Sequence, residues 1–301
     1  MIVTALLGLL GVLFLFFLIV FIRDLIAVRH EPSEESIPAF GIIGLIANFF
    51  DTLGIGSYAP TTAMLNVAKQ VKNDKKLPGI LTVGCTVPVL TEAFLFIQSV
   101  EVEPVTLFAL IISSVIGAAV GGKLVTKLPE QKVQLYLGIA LVLTAFVMLG
   151  KQLGLMDFLS AGNTEIGLSG VKLVVAVVFN FIFGALMTIG CGLYAPCMAM
   201  IYMLGLNPLV AFPVMMGSCA ALMPVAAYEF IKARDYAPKG CLAMAIGGVI
   251  GVFLAAKLVT SMDLYVLTWL VICVVLYTGV MYVRRSTKKK DTYVAAQGTD
   301  Q

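Results

Sequence analysis

From Ile2 to Ile22 the chain runs for 21 residues without a charged side chain. As a helix that stretch reaches about 30 Å, the thickness of a bilayer's hydrocarbon core. Further apolar runs follow at 37–53, 58–70, 77–97, 104–125, 131–150, 171–189, 194–206, 208–229, 238–259 and 263–283. Only 12% of the 301 residues are charged, and the mean hydropathy is +1.02. A soluble domain carries about a quarter charged residues, so this much apolar surface has to face lipid. The runs are continuous rather than alternating, which predicts helices and not the strands of a barrel. The first run has no basic segment before it and no small-residue cleavage site. It is too long for a signal-peptide core, so it reads as a retained helix.

The composition also narrows the chemistry. The single histidine, His30, sits in a polar loop, which argues against a histidine metal site or a Ser-His-Asp triad. Six cysteines are scattered through apolar runs without a CxxC pair, so neither a disulfide framework nor a zinc site is suggested. Each reads as a small hydrophobe. No GxxxxGK[ST] stretch is present, which turns the expectation away from nucleotide-driven work. No catalytic residue, metal, cofactor or nucleic-acid partner is expected.

Two apolar runs are broken by the same phrase. "GIGSYAP" spans 54–60 and "GCGLYAP" spans 190–196, with five of seven residues identical at an offset of 136. "GGKLVTK" at 121–127 pairs with "AAKLVTS" at 255–261, and Pro104 with Pro238, each at an offset of 134. The chain therefore divides into an N-terminal helix and loop (1–36), a first repeat (37–150), a linker (151–170), a second repeat (171–285) and a tail (286–301). Each repeat holds a glycine-broken helical hairpin and three further helices.

Basic residues orient the whole. The connection at 69–76 carries Lys69, Lys72, Lys75 and Lys76, and that at 123–132 carries Lys123, Lys127 and Lys132. The connection 98–104 has none, and neither does the corner at 207. The 231–239 connection has Lys232, Arg234 and Lys239, and the tail is basic. With basic connections in the cytoplasm, the first hairpin opens inside and the second outside. The repeats are then inverted, with the N-terminus outside, the linker outside and the tail inside a bacterial plasma membrane.

Broken helices at membrane depth need protein or a cavity to satisfy their backbone. Gly54, Gly56, Gly190 and Gly192 supply backbone freedom, and Pro60 and Pro196 suit a helix's first turn. The helix that follows each break begins with free N–H groups and about +0.5 charge. Such ends make an anion site without a buried Lys or Arg. The expected substrate-binding residues are Gly54, Gly56, Ser57, Tyr58, Thr61, Thr62, Gly190, Cys191, Gly192 and Tyr194, with the anion between the two breaks.

Acidic residues inside spans are functional candidates by default. Asp51 lies one turn before Gly54, and its counterpart at the repeat offset is Met187. Glu92 lies in the outer part of its span. Both are candidates for coupling to a proton or sodium, since an ionised Asp51 repels an anion unless a cation joins it. Glu229 reads as an interfacial ion pair with Lys232, and Asn48 and Asn180 as interhelical hydrogen-bonding groups.

The stretches "GLIANFFDTLGIGSYAPTTAML", "GALMTIGCGLYAPCMAMIYMLGLNP" and "IGAAVGGKLVTKLPEQKVQLYLGIALVL" resemble the TauE/SafE family of sulfite exporters and sulfonate permeases. The resemblance extends from Ile37 to Val283. It implies secondary transport of small sulfur-containing anions such as sulfite or organosulfonates. The family often has consecutive glycines where this chain has Ser-Tyr-Ala and Leu-Tyr-Ala, so Tyr58 and Tyr194 would narrow a site there. Two other readings are a membrane thiol or redox enzyme built on Cys191 and Cys197, and a passive anion channel.

The inverted arrangement is testable by labelling. Asn73→Cys and Asn207→Cys, each in a background without native cysteines, are expected to react with an impermeant maleimide from opposite membrane faces. Reaction from the same face overturns the inversion.

Overall fold

A computed structural model describes residues 2–30, 35–71, 76–121, 130–153, 163–187 and 192–297. Among the described residues the chain is all helical, with no strand. Seven helices are long and apolar enough to cross a membrane. In chain order the helices are α1 (Ile2–Ala27), α2 (Ile37–Thr52), α3 (Tyr58–Val67), α4 (Leu77–Ser99), α5 (Pro104–Ile116), α6 (Glu130–Gln152), α7 (Gly170–Met187), α8 (Tyr194–Met203), α9 (Ala211–Ala233), α10 (Pro238–Ser261) and α11 (Leu264–Gln297). A wider π-type turn, Gly117–Gly121, continues α5, and a 3₁₀ turn, Pro208–Val210, leads into α9.

Local chemistry sets many of the helix starts. Proline stands in the first turn of α2, α4 and α10, where its missing N–H leaves no gap in the ladder. Glu103 caps α5, accepting from the Val105 N–H at 3.0 Å and the Thr106 N–H at 2.7 Å. Burial pushes its carboxyl up, but these bonds outweigh that and hold it below the usual range. Asp263 caps α11 through the Val266 N–H at 2.9 Å. The helix order recurs across the chain. α3 and α8 have 10 residues each, and α4 and α9 have 23 each with one internal proline, Pro88 and Pro224.

The helices gather into two compact units that cut across the sequence halves. One holds Met1–Ile111 with Phe212–Met262, and the other holds Ile112–Ala211 with Asp263–Gln301. In the first unit α2 lies against α10. A Cβ added at Gly44 would collide with the Met244 carbonyl, one at Gly247 with the Gly41 carbonyl and one at Gly251 with the Leu45 carbonyl. Lipid tails are as apolar as leucine, so such helices associate through close packing rather than hydrophobic burial, and small residues permit the approach. In the second unit α7 lies against the end of α5 in the same manner. Cβ atoms at Gly117 and Gly184 would collide with the carbonyls of Phe181 and Ser114. The glycines of the Gly117–Phe181 and Gly251–Leu45 contacts are 134 positions apart and their partners 136, close to the offsets of the sequence matches. Gly138 of α6 and Gly279 of α11 also meet in this unit.

Aromatic packing fills the first unit. Phe96 and Phe212 stack at 5.2 Å between ring centroids, and Phe17 and Phe21 at 5.4 Å. At the end of α1, Asp24 accepts from the Tyr236 hydroxyl at 2.5 Å and pairs with Arg234 at 3.2 Å. Burial, and then the neighbouring Asp24, pushes the Tyr236 phenol above its ordinary range. The ion pair at this end of α9 is thus Arg234 with Asp24, where the sequence suggested Glu229 with Lys232. The last part of the linker is held by α8 and by the corner that follows it: the Asn163 amide donates to the Tyr202 carbonyl at 2.6 Å, and the Asn207 N–H donates to the Glu165 carbonyl at 2.8 Å.

Gly44→Ala is expected to destabilise the protein by about 1–3 kcal/mol through overpacking. Gly41→Ala, whose added methyl finds only the Ala243 carbonyl at 3.7 Å, should be neutral or slightly stabilising. Thermal unfolding of the two purified variants in detergent checks the contrast.

Candidate functional site

The first break begins where α2 ends. The Gly54 N–H bonds to the Asp51 carbonyl at 2.7 Å and the Ile55 N–H to the Phe50 carbonyl at 3.1 Å. This is a Schellman ending, with Gly54 at φ 92° in the left-handed position that only glycine adopts freely. Gly56 repeats that conformation at φ 89°. A Cβ added there would meet nothing within 4 Å, so the backbone of the break is open on that side. Ser57 then starts α3 without capping it through its side chain. Its hydroxyl and N–H turn to the Asp51 carboxyl instead. The Asp51 carboxyl therefore stands at the start of α3, whose positive end favours a negative charge.

Around this carboxyl lies a buried polar cluster drawn from three helices. Asn48, Asp51 and Thr52 of α2 are each at most 2% exposed, as are Thr61 of α3 and Glu92 of α4. The Thr52 hydroxyl lies 2.7 Å from Glu92 Oε1 and 2.8 Å from the Asn48 carbonyl. The Asn48 amide nitrogen donates to the Gly44 carbonyl at 2.8 Å. Cys85 of α4 reaches both the Ser57 and the Asn48 side chains. The Tyr58 hydroxyl meets Thr82 Oγ1 at 3.2 Å, while the Thr62 hydroxyl is spent on the Tyr58 carbonyl one turn back, at 2.7 Å. Among the described residues, Asn48 Oδ1, Asp51 Oδ2 and Thr61 Oγ1 have no hydrogen-bond partner.

The second break is built with different partners. Gly190 and Cys191 lie outside the described residues. The Gly192 N–H donates to the Tyr282 hydroxyl of α11 at 2.5 Å, and a Cβ at Gly192 would meet that oxygen at 3.2 Å. Tyr194 and Cys197 are buried in the first turn of α8. Where α2 carries Asp51, α7 carries Met187, and the partner at Gly192 is the Tyr282 phenol.

The structure thus brings Asp51, Ser57, Thr61 and Glu92 into one unit with Tyr58. Sequence reading missed Thr52, Thr82 and Cys85 there, and Tyr282 in the second unit. Thr52 carries a legible signal, a hydroxyl beside Asp51 in an apolar run. Tyr282 carries none, since an aromatic residue in a membrane helix is ordinary.

Residues 1–148 match the family model described as "Sulfite exporter TauE/SafE". No curated protein and no solved structure matches the chain. The apolar spans are those of a multi-pass membrane protein, and the first 148 residues are similar to a family of membrane transporters.

Gly56→Val is expected to leave a folded protein that no longer transports. Valine resists positive φ at a cost of about 1–2 kcal/mol and fills the open side of the break. Size-exclusion profiles and transport assays on the same preparation separate lost function from lost fold, and normal transport would remove the break from the binding site.

Proposed function

We propose that this chain, matched over residues 1–148 to the TauE/SafE family, is a secondary transporter of small sulfur-containing anions such as sulfite or organosulfonates. The observation that carries the reading is the pair of short helices that follow the breaks. α3 and α8 have 10 residues each, about 15 Å, half the depth of a hydrocarbon core. A helix of that length beginning next to a break within the apolar region presents its positive end inside the membrane. There an anion meets backbone N–H groups without a buried Lys or Arg. Ser57, Tyr58 and Thr61 at one break, with Thr62 beside them, and Gly190, Cys191, Gly192 and Tyr194 at the other are the proposed substrate contacts.

Asp51 and Glu92 are the proposed coupling residues. An ionised Asp51 beside a bound anion is repulsive, so uptake of a proton or sodium there would favour the anion. By linkage the anion would favour the cation equally. The protein is placed in a bacterial plasma membrane with its N-terminus outside and its basic tail in the cytoplasm.

Reconstituted into proteoliposomes, the protein should accumulate sulfite or a sulfonate, but not a neutral solute, when a proton or sodium gradient is imposed. Asp51→Asn should retain anion exchange and lose gradient-driven accumulation. Uptake of none of sulfite, sulfate, thiosulfate or sulfonates overturns the substrate class, and full accumulation by Asp51→Asn moves coupling to Glu92.

A further inference from the structure

We infer that Asn48, Asp51 and Thr61 form a binding site for a dehydrated sodium ion, within the first unit and at the first break. Three buried oxygens point to it: Asn48 Oδ1, Asp51 Oδ2 and Thr61 Oγ1, none with a hydrogen-bond partner among the described residues. Buried polar atoms are nearly always paired, so three orphaned acceptors within one cluster call for a ligand.

The backbone brings them together. Asn48 and Asp51 are three residues apart on α2 and share a face. Ser57 turns its hydroxyl and N–H to Asp51, and Thr61 follows Ser57 by one turn of α3, on the same face. Cys85 touches the side chains of both Ser57 and Asn48, which closes the cluster from α4.

The local bonding leaves an oxygen of each group available. The Asn48 amide nitrogen is committed to the Gly44 carbonyl at 2.8 Å. Thr52, Thr62, Thr86 and Thr91 all lie within 2.9 Å of the carbonyl four residues back. Thr61 makes no such bond, so its hydroxyl is uncommitted.

The chemistry of the set selects the ion. Carboxylate, amide and hydroxyl oxygens suit hard cations. One carboxylate neutralises one positive charge, which fits a monovalent ion better than calcium or magnesium. Among the described residues, no group of three His, Cys, Asp or Glu gathers as a transition metal would require. Bound sodium would cancel the Asp51 charge at the start of α3 and leave that helix end free to attract an anion. This coupling role rests on the anion-transport reading; the cation site itself does not.

The test uses the purified full-length protein in detergent, without any anion substrate. Thermal unfolding midpoints are measured in NaCl, KCl and choline chloride at one ionic strength, together with direct binding of radioactive sodium. Sodium is expected to raise the wild-type midpoint saturably by several degrees, as ligand linkage requires, with one ion bound per chain. Asp51→Asn and Thr61→Val should each abolish the sodium-dependent increment, and Thr61→Ser should keep it. An equal rise in potassium or choline overturns the site, and so does a midpoint that follows pH but not sodium, which would make Asp51 a proton carrier. An increment unchanged in Thr61→Val overturns the ligand set even if Asp51→Asn fails to fold. Sodium binding without uptake of any sulfur anion would instead sink the proposed substrate and leave this site standing.

Discussion

The contact between α2 and α10 is one of backbone against backbone, and much of the first unit follows from it. Gly44, Gly247 and Gly251 let the two helix axes approach until carbonyl oxygens lie where side chains would otherwise stand. Without a hydrophobic drive between helices in lipid, that approach is where attraction comes from. Helix α2 itself ends in the Schellman turn, where the Gly54 and Ile55 N–H groups are paired. Asn48 rests against Gly248 in the same interface, so the packing contact and the polar cluster share residues.

Much of this was legible in the sequence. Helix α2 was expected over 37–53 and is Ile37–Thr52, and the run at 131–150 is α6, Glu130–Gln152. Apolar length, glycine and proline carry those boundaries directly. The run at 104–125 was read as one helix, but the regular helix stops at Ile116 and widens into a π-type turn. There Gly117 presses on the Phe181 backbone of α7, a cause that only the fold supplies. The helix expected at 263–283 runs on to Gln297, since apolarity marks the membrane portion of a helix and not its end.

The candidate site was half legible. The paired glycine phrase located both breaks, and an aspartate in an apolar run announced itself. The partners did not. Thr52 and Glu92 are 40 positions apart, and Gly192 and Tyr282 are 90 apart, distances over which composition and periodicity carry no information. The two breaks looked alike as strings, yet one folds onto its own carboxylate and the other onto a phenol from a distant helix. Five shared letters mark where each break lies, and residues outside them supply its partners.

The interleaving of the two compact units bears on how the chain is made. When a ribosome has released the first 150 residues, α2 can meet α3 and α4, but the helix that its glycine face matches begins only at Pro238. α7 meets the opposite situation: the end of α5 that receives it is already in the membrane when α7 emerges. The glycine face of α2 therefore stays uncovered until α10 has been made. The first unit therefore lacks a helix until α10 emerges, and the second until α11 does, since Gly279 of α11 meets Gly138 of α6.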